Sequence, residues 1–152
     1  EVLEETNGKV IIWAVYRYDI QEIERTLGEK YGKESVATYY GDTKDNLRQS
    51  IVDRFMDADD DLRFFVGNPK TGGYGLTLTS SHTVVYYSND YSLEVRLQSE
   101  DRAHRIGQTN KVTYVDLMAD HTIDERIVKA LNAKIDLASQ VMGEDPKKIL
   151  FG

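Results

Sequence analysis

Cysteine is absent from this 152-residue chain. Disulfides and thiolate metal sites are therefore excluded, and a reducing, intracellular compartment (cytoplasm or nucleus/nucleoid) is expected. Only two prolines occur, which argues against long disordered tracts. Histidine is scarce as well. His82, His104 and His121 lack metal-ligand spacing, so no metal site is expected. No apolar run approaches the length of a bilayer span and no signal-peptide pattern is present, so no membrane partner is expected. The pattern GxxxxGK[ST] is missing, as is an acidic magnesium-holding motif at a strand end. Positive charge is in deficit too: the net charge is −7. By itself this disfavours a polyanionic partner, because phosphate neutralisation needs cations.

The distribution of charge softens that objection. Acid is concentrated at Glu1, Glu4 and Glu5 and in DADDD (57–61), while Lys70, Arg96, Arg102, Arg105 and Lys111 gather around the motifs discussed below. At 40% hydrophobic residues, residues 1–152 read as one domain with a core large enough for three layers. The start at Glu1, without methionine, suggests a fragment of something longer.

KVIIWAVY (9–16) is a continuous apolar run, the pattern of a strand covered on both faces. Asp19 is placed to cap a helix carrying Ile20, Ile23 and Leu27 on one face. SVATYY (35–40) reads as a second strand, the Gly41-Asp42-Thr43 turn leads into a helix with Leu47, Ile51 and Phe55, and LRFFV (62–66) is a third strand. TVVYYS (83–88) and VTYVDLM (112–118) complete five strands. Thr122 and Glu125 form a capping box before a long helix with Ile127, Leu131, Ile135 and Ala138 along one stripe. Alternating strands and helices predict an α/β fold: a mostly parallel sheet with helices on both faces. In such sheets ligands bind outside the carboxyl ends of the strands. This directs attention to the loop NPKTGGYG (68–75), whose Gly72, Gly73 and Gly75 would let backbone amides approach a phosphate closely. Glycines in a tight strand-to-helix turn also arise for geometry alone.

QSEDRAHRIGQ (98–108) is the most informative stretch. On a helix continued to Gly107, Gln98, Arg102 and Arg105 share one face at i, i+4 and i+7. Two guanidiniums and an amide aimed together suit a nucleotide phosphate. The alternative from spacing alone is a solvated helix in which Asp101 and Arg105 pair. Trp13 and the Tyr86-Tyr87 pair read as packing, and His104 as a helix-surface side chain.

Taken in order, these segments resemble the second (C-terminal) RecA-like domain of the Swi/Snf-like group in helicase superfamily two, over roughly residues 8–135. KVIIWAVYRYDIQEIERTL is similar to motif IV, and YYGDTKDNLRQSIVDRF to the segment after it, with Gly41, Arg48 and Phe55 kept. KTGGYGLTLTSSHTVVYY is similar to motif V, QSEDRAHRIGQ to motif VI, and VTYVDLMADHTIDERIVKAL to the closing strand and helix. The resemblance implies a RecA-like three-layer sandwich and one half of a nucleic-acid-dependent ATPase, a DNA translocase or helicase. ATP and Mg2+ would be held mainly by an N-terminal RecA-like domain of the same protein, so the isolated chain is expected to be inactive. It also implies Arg105 as an arginine finger, Arg102 as its neighbour in the cleft, and Gln98 as a positioning group for the helix or the attacking water. Gly73 and Gly75 are implied in nucleotide coupling. Arg17, Gly41, Thr43, Lys70 and Thr71 are implied in gripping the backbone of duplex DNA. Family members usually carry Ser or Thr where this chain has Asn68 and Pro69, and SNDYSL (88–93) also departs from the pattern. Two other readings remain at this stage: a non-catalytic RecA-like interaction module, and an RNA-directed helicase domain.

Overall fold

The computed structural model describes residues 2–71, 76–104, 111–118 and 123–142. Strand β1 (Val10–Trp13) is buried along its whole length, and so is β3 (Phe64–Gly67). Both are near-continuous apolar segments, and both take interior positions in a parallel sheet of order β2-β3-β1-β4-β5. β2 (Val36–Tyr39) and β5 (Thr113–Asp116) lie at the edges, and β4 (Thr83–Tyr86) lies between β1 and β5.

Alternation along the strands divides the core in two. Ile11, Trp13, Phe65, Val84 and Tyr86 face one side, packed with Phe55 of α2 (Asp45–Met56) and Ala103 of α3 (Leu93–Ala103). Val10, Ile12, Phe64, Val66 and Val85 face the other, packed with Ile20 and Leu27 of α1 (Arg17–Tyr31). The long helix α4 (Ile123–Met142) buries Ile127, Val128 and Leu131 and touches α3. The result is the three-layer α/β arrangement that alternating elements predict. None of the described helices is long and apolar enough to cross a membrane.

Three local expectations change. α1 begins at Arg17, with Tyr16 as its N-cap residue and no side-chain capping bond, so Asp19 lies in the first turn and not at the cap. Tyr16, read as part of a strand, is 60% exposed. α3 stops at Ala103, and His104 is extended (φ −135°, ψ 101°). The physical cause is a competing partner: the Arg102 carbonyl, which a longer helix would use internally, accepts the Leu78 N–H at 2.8 Å. The capping box at Thr122 lies outside the described residues.

Candidate nucleotide and nucleic-acid edge

The register of the parallel ladder brings Tyr39, Gly67, Trp13, Tyr86 and Asp116 into one row at the carboxyl ends of the strands. The loops carrying the candidate residues leave from this row. Gly67 is required there by contact. A Cβ on it would stand 2.8 Å from the Tyr39 carbonyl oxygen and 3.1 Å from the Trp13 ring.

Asn68 then fixes the turn that follows. Its N–H donates to the Tyr39 carbonyl (3.1 Å), and its Nδ2 to the Val15 carbonyl (3.1 Å). Its Oδ1 accepts from the Lys70 N–H (2.9 Å), and its carbonyl from the Thr71 N–H (3.0 Å). The departure from the family pattern at this position is thus a structural one: Asn68 is occupied by the turn, and Pro69 is buried behind it. Lys70 is exposed and its Nζ lies 2.9 Å from Asp90 Oδ2. That lysine, with the Ser92 N–H, holds the Asp90 carboxyl below the usual range.

The loop after β2 is organised in the same way. The Thr43 hydroxyl donates to the Thr38 carbonyl (3.1 Å) and accepts from the Tyr40 N–H (3.0 Å). Arg48 reaches back from α2 to the carbonyls of Thr43 (3.2 Å) and Tyr40 (3.3 Å). Gly41 sits at the exposed tip, and a Cβ there would meet nothing within 4 Å. Arg17, first residue of α1, pairs with Asp42 at 3.0 Å. Residues predicted from three separate segments therefore lie at one edge of the sheet, Arg17 at the start of α1 and Gly41 with Thr43 and Lys70 with Thr71 in loops.

The residues of α3 divide. Gln98 is half-buried and donates to Glu94 Oε1 at 3.4 Å. Arg102 does not project outward as helical spacing predicts. It is 4% exposed, its guanidinium lies 5.3 Å from the Trp13 ring centroid, and Nη1 donates to the Thr71 carbonyl at 2.8 Å. Burial lowers its pKa from the usual guanidinium value. Gly73, Gly75 and Arg105 lie outside the described residues. Trp13 and Tyr86 are core residues as expected, whereas Tyr87 is 43% exposed.

A neighbouring network was not singled out from sequence. Arg96 of α3 lies 3.6 Å over the Tyr86 ring and donates to Asp116 Oδ1 (2.6 Å), Asp116 Oδ2 (3.2 Å) and Asn89 Oδ1 (2.9 Å). The Tyr86 hydroxyl meets Ser99 Oγ at 2.7 Å, and burial pushes its phenol up. These contacts bind α3 to the ends of β4 and β5. By contrast, a groove of about 620 Å³ lined by Ile12, Ile23, Leu27, Val85 and Leu117 contains none of the predicted site residues.

Comparison with known proteins fits this arrangement. The helicase conserved C-terminal domain matches residues 1–107. The chain belongs to the helicase C-terminal domain family. Its relatives put it in the Swi/Snf-like branch. ATP-dependent helicase fft2 of Schizosaccharomyces pombe is 32% identical over 149 residues, covering 97% of this chain and 11% of fft2. Helicase SWR1 of Saccharomyces cerevisiae is 36% identical over 104 residues, covering 68% of this chain and 7% of SWR1. The helicase domain described here thus spans about a tenth of these relatives or less. Among solved structures, the C-terminal part of the Fun30 ATPase domain superposes with a TM-score of 0.71 at 28% identity, covering 82% of this chain and 39% of that one. This supports the RecA-like assignment of the sheet and its helices.

Proposed function

We propose that this helicase C-terminal domain is one half of an ATP-driven translocase on duplex DNA. It would supply an arginine finger and part of the grip on the DNA backbone. The observation that carries the reading is the convergence of the candidate loops on one carboxyl edge, where Arg17 meets Asp42 and Lys70 stands beside Asp90. In parallel sheets that edge is where ligands bind. Contacts from lysine, arginine, threonine and a side-chain-free glycine to sugar-phosphate position a protein without reading sequence.

For the nucleotide, the donors of this chain fit a phosphate and not a metal. Arginine and amide donors suit phosphate oxygens, and no cluster of metal-ligating side chains occurs among the described residues. Arg105 and Gln98, with the backbone at Gly73 and Gly75, would face ATP held mainly by an N-terminal RecA-like domain, which would also hold Mg2+. When bound, ATP with its Mg2+ supplies the phosphoryl group and the cation that neutralises it. Arg105 would offer a permanent positive charge to the negative charge that develops there, a contribution on the order of 10³–10⁵ in rate. Arg102, whose guanidinium lies beneath the loop that follows β3, would be the neighbour of Arg105 in the same cleft.

The test is turnover. The chain alone should show no ATPase above background. In the intact two-lobed protein, Arg105→Ala should lower kcat by about 10³ or more while the KM for ATP changes little. Robust hydrolysis by the isolated chain, or an unimpaired Arg105→Ala protein, would refute the assignment.

A further inference from the structure

Tyr16 and Tyr18 stand on either side of Arg17, where β1 gives way to α1. They are 60% and 71% exposed, and Tyr18 is the most exposed large apolar residue among the described residues. Neither side chain has a hydrogen bond, ion pair or ring contact among the described residues. Tyrosines of the folded body behave differently: Tyr31 and Tyr39 pack on phenylalanine rings, and the hydroxyls of Tyr86 and Tyr114 are engaged. The backbone that carries the exposed pair is firmly mounted. Val15 donates its N–H to Ser88 Oγ (2.8 Å), and its carbonyl accepts from Asn68 Nδ2 (3.1 Å), so both of its main-chain groups are tied to loops of neighbouring strands. The Tyr16 carbonyl takes the Ile20 N–H (3.2 Å), and Asp42 holds Arg17 from across the edge (3.0 Å). Two aromatic side chains without partners are thus presented beside a cation, at the edge where ligands bind.

We infer that Tyr16 and Tyr18 pack against the sugars of a DNA strand whose phosphate is offered to Arg17, and that this contact makes the domain select DNA over RNA. The inference rests on the reading of this edge as a grip on the nucleic-acid backbone. A duplex keeps its bases stacked on one another, so an exposed ring at its surface meets sugar edges and not base faces. Tyrosine suits a deoxyribose in two respects. Its ring covers the apolar C2′ side of the sugar, and its phenol can donate to a phosphate oxygen. Ribose puts a hydroxyl at C2′, and covering that hydroxyl with an aromatic ring removes it from water with no partner in exchange. Arg17 and Lys70 would meet phosphates that the two polymers share, so neither cation supplies such a choice.

Both tyrosines are exposed, so they can be replaced without disturbing the core. The experiment titrates the 152-residue chain at low salt with a duplex DNA and a duplex RNA of matching sequence and length. It compares wild type with the double variant Tyr16→Ala and Tyr18→Ala, with Tyr18→Phe and with Lys70→Ala. Wild type should bind the DNA roughly tenfold more tightly than the RNA. The double variant should keep the melting temperature and the RNA affinity of wild type. Its DNA affinity should fall roughly five- to tenfold, which brings the two polymers level. Tyr18→Phe should keep most of the preference, since the ring carries it. Lys70→Ala should weaken binding of both polymers alike and leave their ratio as in wild type. An undiminished DNA preference in the double variant, or an equal loss on both polymers, would overturn the sugar contact, and Lys70→Ala would still report on the grip. If Lys70→Ala binds both duplexes as tightly as wild type, that lysine leaves the grip, and the ratio in the double variant decides the sugar contact on its own. A chain that binds neither duplex overturns the grip and the sugar contact together.

Discussion

The Tyr39 carbonyl and the α-carbon of Gly67 face each other so closely that the first atom of any side chain at 67 would lie 2.8 Å from the carbonyl oxygen. That oxygen also accepts the Asn68 N–H. Neither strand can yield, because both are fixed in the parallel ladder and the Trp13 ring closes the remaining space. Gly67→Ala should therefore destabilise the fold by about 1–3 kcal/mol, the range for overpacking a tight core. Urea unfolding followed by Trp13 emission measures it. A variant as stable as wild type would show that the edge of the sheet can relax.

Gly41 is the opposite case. It is exposed, and a Cβ would meet nothing within 4 Å. Nothing among the described residues demands glycine there, so a requirement for it would point to a contact beyond them. Gly41→Ala should leave the melting temperature unchanged within error, or raise it slightly through the unfolded state. It should weaken duplex binding severalfold if the tip touches a phosphate backbone. Unchanged affinity in a titration would remove Gly41 from the grip.

The fold was legible in sequence where one strong local signal decided it. VIIW and FFVG are apolar throughout, and such strands belong in the middle of a parallel sheet. The candidate loops followed, since their place is set by strand direction. What escaped was decided by partners distant in the chain. The end of α3 depends on Leu78, 24 residues before Arg102, and helical spacing indicates the side from which a residue leaves but not what lies above it. The Arg96-Asp116 pair was invisible for the same reason, because the two meet only once β5 has joined β4. At the start of α1 the signal misled: Asp19 is a good capping residue, but the helix starts two residues earlier, at Arg17.

Lys70 is paired with Asp90 at 2.9 Å, so under the proposed grip a phosphate would have to displace that carboxylate. Asp90→Asn should raise duplex affinity roughly two- to fivefold, as expected from freeing an exposed pair. It should also steepen the fall of log K with log salt by about one unit. The pH dependence follows from the lowered Asp90 carboxyl, held down first by Lys70 and then by the Ser92 N–H. A carboxyl lowered on folding stabilises above its unfolded pKa, and that contribution is lost as pH falls through the lower folded value. Between about pH 5 and 8 the wild-type pair should stay intact, and Asp90 should add no pH dependence to binding. A titration step in that window that vanishes in Asp90→Asn would contradict this.

Arg96 and Asp116 form a largely buried pair, with side chains 10% and 21% exposed. Removing one partner leaves a charge without its counter-ion. Arg96→Ala should therefore cost about 3 kcal/mol or more in denaturant unfolding. The double variant Arg96→Met with Asp116→Leu should cost clearly less than the two single changes summed, because Asp116 leaves with its partner and only the longer 3.7 Å contact of Arg96 with Glu100 is lost. Additive losses would mean that the pair contributes little beyond packing.

Asn68 alone provides four of the bonds that shape the turn after β3, through its main-chain N–H and carbonyl and both ends of its amide. The identity of its neighbour at position 70 is thereby decoupled from the architecture of the turn. Exchange of Lys70 for another side chain changes what is offered to a polyanion without asking the backbone to rearrange. Evolution can therefore vary the charge displayed at that point by single substitutions, with the backbone of the turn kept by Asn68.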